Sequence, residues 1–152
     1  MYGQVVGINS SKIITDGYEG MGFAIPVSKA KDIIDQLLSG GYVEGRVRLG
    51  ITGSDVTAAQ SAFYGIPQGF VIASIDEDSS FAGTQAQPND IIIAIDGETV
   101  EELQDISNLL LRYSPGDQVT VTLYRQPENG MGEGEEFDVT ITLLEDKGET
   151  QR

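Results

Sequence analysis

The chain has 152 residues, enough for one ordinary domain or one domain with a piece of another; 39% are hydrophobic, so a core can form. Its 24 acidic and 9 basic residues give a formal charge of -15, which repels phosphate backbones and anionic bilayers and so argues against nucleic-acid and membrane-surface partners. There is no cysteine for disulfide or thiolate chemistry, and no histidine to act as the usual general base or metal ligand.

The chain opens on Met1-Tyr2-Gly3-Gln4, without the basic head and apolar centre of a signal peptide, and reads as the middle of something longer. Gln4–Ile8 and Gly22–Ile25 are short β-rich runs, with Asn9-Ser10-Ser11 and Asp16-Gly17 as turns between them. Ala30, Ile33, Ile34, Leu37 and Leu38 then form one stripe of an amphipathic helix, with Ser28 as N-cap and Gly40-Gly41 as its stop. Two short strands and a helix bury little by themselves. Residues 1–40 are therefore expected to be the edge of a larger domain, poorly ordered or covered by a partner surface.

Residues 45–145 look self-sufficient. Leu49–Asp55 is a strand, and Thr57-Ala58-Ala59-Gln60 has capping-box form opening a short helix to Tyr64. Phe70–Ile75 is a strand, Asp76–Ser80 a solvated acidic loop and Phe81–Gln85 one helical turn. Asp90–Ile95 is an apolar run expected of a strand covered on both faces, closed by the turn Asp96-Gly97. A second capping box, Thr99 to Glu102, opens a helix running to about Arg112. Val119, Val121 and Leu123, then Val139, Ile141 and Leu143, alternate with polar residues as two half-buried strands, joined by the loop Pro127–Glu136. This order predicts an α+β fold, a small, partly open β-barrel or sandwich capped by two helices. Glu145–Arg152 reads as a flexible tail, residues 146–152 lying outside the domain.

Two stretches resemble a known family. Ser79–Gly83 followed by Asn89–Gly97, and Ser114–Arg125, are similar to the PDZ pattern of a small-residue turn, Gly-Asp, an apolar strand and Asn/Asp-Gly. Arg48-Leu49-Gly50-Ile51 resembles the carboxylate loop of PDZ domains in HtrA/DegP serine proteases, and Ala62–Gly69 the helix and turn after it. Gly3–Asn9 and Gly20–Pro26 resemble the end of that family's trypsin-like protease domain, just past its Gly-Asn-Ser-Gly-Gly nucleophile motif. The family's catalytic Ser, His and Asp have no counterparts here, so the resemblance implies that this chain cleaves nothing while a full-length parent is a serine endopeptidase. Asn89 stands where the family has Gly, and Ser80 where many members have Pro.

The resemblance implies a peptide groove. Amides of Leu49, Gly50 and Ile51 would hold a ligand's terminal carboxylate, with Arg48, or Arg46, adding positive potential. The ligand strand would add to Ile51–Ser54, with Thr52, Leu103, Ser107 and Leu110 lining the groove and Ile106 and Leu109 facing the core. Leu103 and Leu110 can equally be core, and either arginine a solvated charge. No cofactor or metal is expected: Asp76–Ser80 lacks the spacing of a calcium loop. The implied partners are apolar C-termini of unfolded proteins and the parent's own protease domain. The implied setting is extracytoplasmic quality control, with a membrane anchor left open for the parent. The resemblance implies a parent that forms oligomers, usually trimers, through its protease domain; this chain alone is expected to be a monomer or weak dimer. The alternative is a stand-alone PDZ scaffold with no protease, which leaves residues 1–39 unexplained. Paired catalytic carboxylates are disfavoured, because Asp90 and Asp96 are accounted for as turn residues.

Overall fold

The computed structural model describes residues 4–12, 22–127 and 134–148. The described residues fall into two compact units, one made of those between 4 and 44 with 147 and 148, and one of those between 45 and 146.

In the first unit, β1 (Gly7–Lys12) pairs antiparallel with β2 (Gly22–Pro26), and α1 (Val27–Gly40) follows at once. The first strand starts later than the β-rich run suggested, because its register is set by β2, which places Gly7 against Pro26 and Lys12 against Gly22. Asn9, Ser10 and Ser11 are thus strand residues, with a bulge between Asn9 and Ser11, while Asp16-Gly17 lies outside the described residues. Pro26, not Ser28, is the N-cap: the Val27 amide donates to the Val6 carbonyl at 3.1 Å, so the helix begins directly after the proline. Ala30 is the one buried residue of α1 among those described; Ile33, Ile34, Leu37 and Leu38 are exposed, as are Val5, Val6, Ile8 and Ile25.

The second unit is an α+β fold. Its main sheet runs β4 (Ile51–Val56), β5 (Gly69–Ile75), β6 (Ile91–Ile95), β8 (Gln118–Arg125), β9 (Glu135–Thr142), all antiparallel, with the short β7 (Glu98–Thr99) on β6. A second pair joins β3 (Val47–Arg48) to β10 (Leu144–Glu145). Two helices accompany the sheet, α2 (Ala58–Tyr64) and α3 (Leu103–Leu110). Alternation along β8 turns Val119, Val121 and Leu123 inward, and β9 adds Val139 and Ile141 to the same core. Leu49, Phe70, Ile72, Phe81, Ile92, Ile95, Val100, Ile106, Leu109 and Leu143 complete it. Among the described residues, no helix is long and apolar enough to cross a membrane.

The capping box at Thr57 is present: the Thr57 hydroxyl accepts from the Gln60 amide and the Gln60 side chain from the Thr57 amide. The second box is displaced. Val100 is fully buried and its amide donates to the Ile93 carbonyl at 2.8 Å, so the chain at Thr99 is still fixed to the sheet and cannot yet coil. The helix starts after Glu102 instead, where the Asp105 carboxylate accepts from the Glu101 and Glu102 amides. Phe81–Gln85 forms successive turns rather than a helical turn: Thr84 spends its hydroxyl on the Phe81 carbonyl, 2.8 Å away, and accepts the Ala86 amide.

Asp90 is more than a turn residue. At 1% exposure it accepts from Nε and Nη2 of Arg125, both at 2.7 Å, and from the Gln87 amide at 2.8 Å. Arg125 also donates to the Gln85 carbonyl and stacks on the Phe137 ring, 4.8 Å from its centroid. One guanidinium thus clamps the turn before β6 to β8 and β9. Asn89, ahead of it, has φ +76°, a left-handed conformation that asparagine adopts more readily than most residues other than glycine.

Candidate functional site

Between β3 and β4 the chain turns through Leu49 and Gly50. Leu49 is buried in the core, and β10 holds β3 from the other side, so both ends of the turn are fixed. Gly50 has φ +70°, and a β-carbon there would lie 2.7 Å from the Ser79 Cα. The segment 76–80 binds every carbonyl of this turn. Ser80 donates its hydroxyl to Arg48 O at 3.0 Å and its amide to Leu49 O at 2.9 Å, and Asp76 donates its amide to Gly50 O at 2.9 Å. With the carbonyls engaged on that side, the Leu49 and Gly50 amides donate no hydrogen bond to any described residue. Two consecutive N–H groups without a partner are what an anion-binding nest requires.

The segment expected to be a solvated acidic loop is therefore a built wall. Ser79 and Ser80 are buried, and the Ser79 hydroxyl has no hydrogen-bond partner among the described residues. Ser80 supplies an amide that a proline at this position would lack. The Arg48 side chain is 24% exposed, and its Nη2 donates to the Asp78 carboxylate at 2.5 Å. Among the described residues no cluster of three or more acidic groups is arranged to hold a metal ion.

From this turn runs β4, whose only strand partner among the described residues is β5, leaving its outer edge open. Thr52 to Asp55 are exposed along it, and the Thr52 hydroxyl is 2.7 Å from that of Ser74. Gly53 lets the strand lie close on β5: a β-carbon there would meet the Val71 carbonyl at 2.0 Å. At the far end the Asp55 carboxylate accepts the Leu103 amide at 2.7 Å, bringing the start of α3 to the end of β4.

The helix divides its faces. Ile106 and Leu109 are core, Leu103 and Ser107 are exposed, and Leu110 is partly buried against the core. Ser107 donates its hydroxyl to the Leu103 carbonyl at 3.0 Å, so only its lone pairs face outward. Ser107 and Leu110 line a cavity of about 370 Å³ with Arg46, Val47, Gln104 and Tyr113, and the structure does not gather Thr52 or Leu103 into that cavity. A second hollow, about 430 Å³, sits at the end of β4 and is walled by Asp55, Glu101, Glu102 and Asp105. Asp55, Asp78, Ser79 and Ser80 contact the candidate turn, its arginine or the start of α3, and were not named as site residues from the sequence. The Ser79–Gly83 motif pointed to the serines, whereas nothing local marked Asp55, whose partner lies 48 residues away.

A glycine turn with tied-off carbonyls, an open strand edge leading from it and a helix alongside define a PDZ-type module. Comparison with known proteins agrees. The profile of the PDZ domain family matches residues 47–143. The chain is 34% identical over 152 residues to the probable periplasmic serine endoprotease DegP-like of Brucella suis, covering 97% of this chain and 28% of that protein. For the protein so named in Halomonas elongata the figures are 36% over 145 residues, 93% and 29%. Among solved structures, the HtrA-type protease AlgW with decapeptide superposes with a TM-score of 0.62 at 25% identity, over 94% of this chain and 42% of that one. The serine endoprotease from Yersinia pestis gives 0.57 at 26%, over 94% and 44%. The chain belongs to the PDZ domain family, in the form carried by HtrA and DegP serine proteases, and spans less than a third of the length of these curated relatives.

Proposed function

We propose that the second unit binds the C-terminal ends of polypeptides by adding them as a strand to β4, with the terminal carboxylate in the Leu49–Ile51 nest. The observation that carries this reading is the pairing of two amides, Leu49 and Gly50, that have no partner among the described residues with an open strand edge that starts at the next residue. Strand addition supplies main-chain hydrogen bonds, and the nest supplies direction, since a free carboxylate fits only at that end. Leu103 and Leu110 offer apolar contacts along α3, which suits apolar last residues. The carboxylates around the end of β4 disfavour an acidic ligand body. Domain limits of 45–145 for this module and 146–152 for a tail belong to the same reading.

Residues 1–40 are the closing segment of a trypsin-like protease domain in this reading. The match to DegP-like proteins runs through them, and the exposed stripe Ile33, Ile34, Leu37 and Leu38 is the face the rest of that domain covers. The parent is then an extracytoplasmic serine endopeptidase that degrades unfolded proteins, with the peptide module feeding or regulating it. The chain itself has no histidine and cleaves nothing.

Isothermal titration with a decapeptide ending in an apolar residue, against the same peptide amidated at its C-terminus, tests the reading. Micromolar or weaker binding, cut at least about tenfold by amidation, is expected, because an ordered short peptide gives up much of its entropy. Equal binding of the two peptides contradicts a carboxylate nest.

A further inference from the structure

The arginine beside the nest is already engaged. Arg48 lies immediately before the two amides that have no partner among the described residues, yet its Nη2 is 2.5 Å from a carboxylate of the same chain, Asp78, on the segment that walls the turn. Asp78 is 56% exposed, so burial does not force its charge there. Of its neighbours, Ser79 is buried against Gly50 and Ser80 is bonded to the Arg48 and Leu49 carbonyls, which ties the segment carrying Asp78 to the turn. The unpartnered Ser79 hydroxyl marks the same wall as polar and incompletely satisfied.

We infer that Asp78 is an internal rival of the ligand's terminal carboxylate, sharing Arg48 with it and setting the affinity of the nest. This rests on the groove reading above. A ligand carboxylate arriving at the Leu49 and Gly50 amides meets a guanidinium whose charge is already offset, and a second carboxylate held nearby. Two like charges and one cation share the space, so the ligand gains less from Arg48 than an unpaired arginine would give. The contact keeps affinity for any free C-terminus low and leaves discrimination to the strand edge and the α3 side chains. Asp78 acts through Arg48 and is a positioning residue, not part of the peptide's own contact surface.

Asp78→Asn tests this. Asparagine keeps the size and one acceptor oxygen, so Arg48 stays in place while the rival charge is removed. Glu77→Gln is the control: Glu77 is exposed, its substitution changes the charge of the same loop equally, and no ion pair joins it to Arg48. Affinities are measured by fluorescence anisotropy for labelled decapeptides ending in Val, Leu, Ile or Phe, each with a free and an amidated terminus, at low and high salt. Asp78→Asn is expected to tighten binding of the free-carboxylate peptides by about fivefold at low salt and less at 0.5 M salt, with no change for the amides. Glu77→Gln is expected to change either by less than about twofold. Unchanged or weaker binding by Asp78→Asn, while the wild type still prefers free termini, overturns the inference and leaves the groove reading standing. An equal gain from Glu77→Gln overturns it too, because general charge then accounts for the effect. No preference for free over amidated termini in either chain overturns the groove reading and this inference with it.

Discussion

Gly50→Ala tests the geometry on which the nest depends. Two costs add at this position. An L-residue held at φ +70° gives up about 1–2 kcal/mol. The new β-carbon would also stand 2.7 Å from the Ser79 Cα and 2.8 Å from its Cβ, against a wall fixed by three hydrogen bonds, so the turn or the 76–80 segment must shift at a further cost of about 1–3 kcal/mol. Gly97→Ala separates the two: Gly97 has φ +78° but nothing within 4 Å of its would-be β-carbon, so it carries the conformational term alone. Urea unfolding followed by circular dichroism is expected to show a loss of about 3 kcal/mol for Gly50→Ala and about 1 kcal/mol for Gly97→Ala. For a domain of this size the first corresponds to a fall in Tm on the order of 10–20 °C. Equal losses in the two variants, within about 0.5 kcal/mol, refute the claim that Ser79 walls the turn.

Breaking the Asp90–Arg125 clamp by Asp90→Ala is expected to cost about 2–4 kcal/mol in the same assay, below the full value for a sealed pair because Arg125 is one-third exposed and reaches water. Glu98→Gln, which breaks the exposed pair with Arg112, is expected to cost less than about 0.5 kcal/mol; comparable losses at the two pairs contradict the assignment. Asp96 and Tyr113 predict the pH limits of stability. The Thr120 amide, and then the Tyr113 hydroxyl, hold the Asp96 carboxyl below its ordinary 3.8, while that same hydroxyl bond holds Tyr113 above its ordinary 10.0. The Asp96 contribution is present above the unfolded carboxyl's pKa and is lost as pH falls through the lowered folded one. The Tyr113 contribution is present below pH 10 and is lost as pH rises through the raised folded value. Tyr113→Phe is expected to remove the alkaline loss and shrink the acid one, since the Thr120 bond remains; thermal melts from pH 2 to 12 read both, and an unchanged alkaline limb argues against the hydrogen bond.

Residue patterns carried most of the fold because each strand and helix signals itself locally. Val119, Val121 and Leu123 alternate and are buried, and Ile106 and Leu109 fell to the core as their helical spacing implied. Thr57 and Gln60 cap α2 as their types and spacing required. Errors arose where tertiary contacts decide. Ser28 is a better N-cap by type than Pro26, but the Val6 carbonyl takes the Val27 amide and moves the helix start. Thr99 is a better cap than Glu102, but the burial of Val100 keeps that segment on the sheet. The site shows the same division. Gly50 was singled out through the resemblance of Arg48–Ile51 to a carboxylate loop, while Asp55 and Asp78 were not, since their partners lie 48 and 30 residues away in the chain. The clamp on Asp90 was hidden for the same reason, with Arg125 35 residues distant.

The central claim is that a free C-terminus enters at the Leu49–Gly50 amides and lies along β4. An NMR titration of the isotopically labelled chain, with an apolar-ended decapeptide and its amide run side by side, tests it most directly. The account predicts shifts at the Leu49 to Thr52 amides and along Leu103–Leu110 with the free peptide, and their loss on amidation. Shifts confined to other surfaces, or identical for the two peptides, would contradict it.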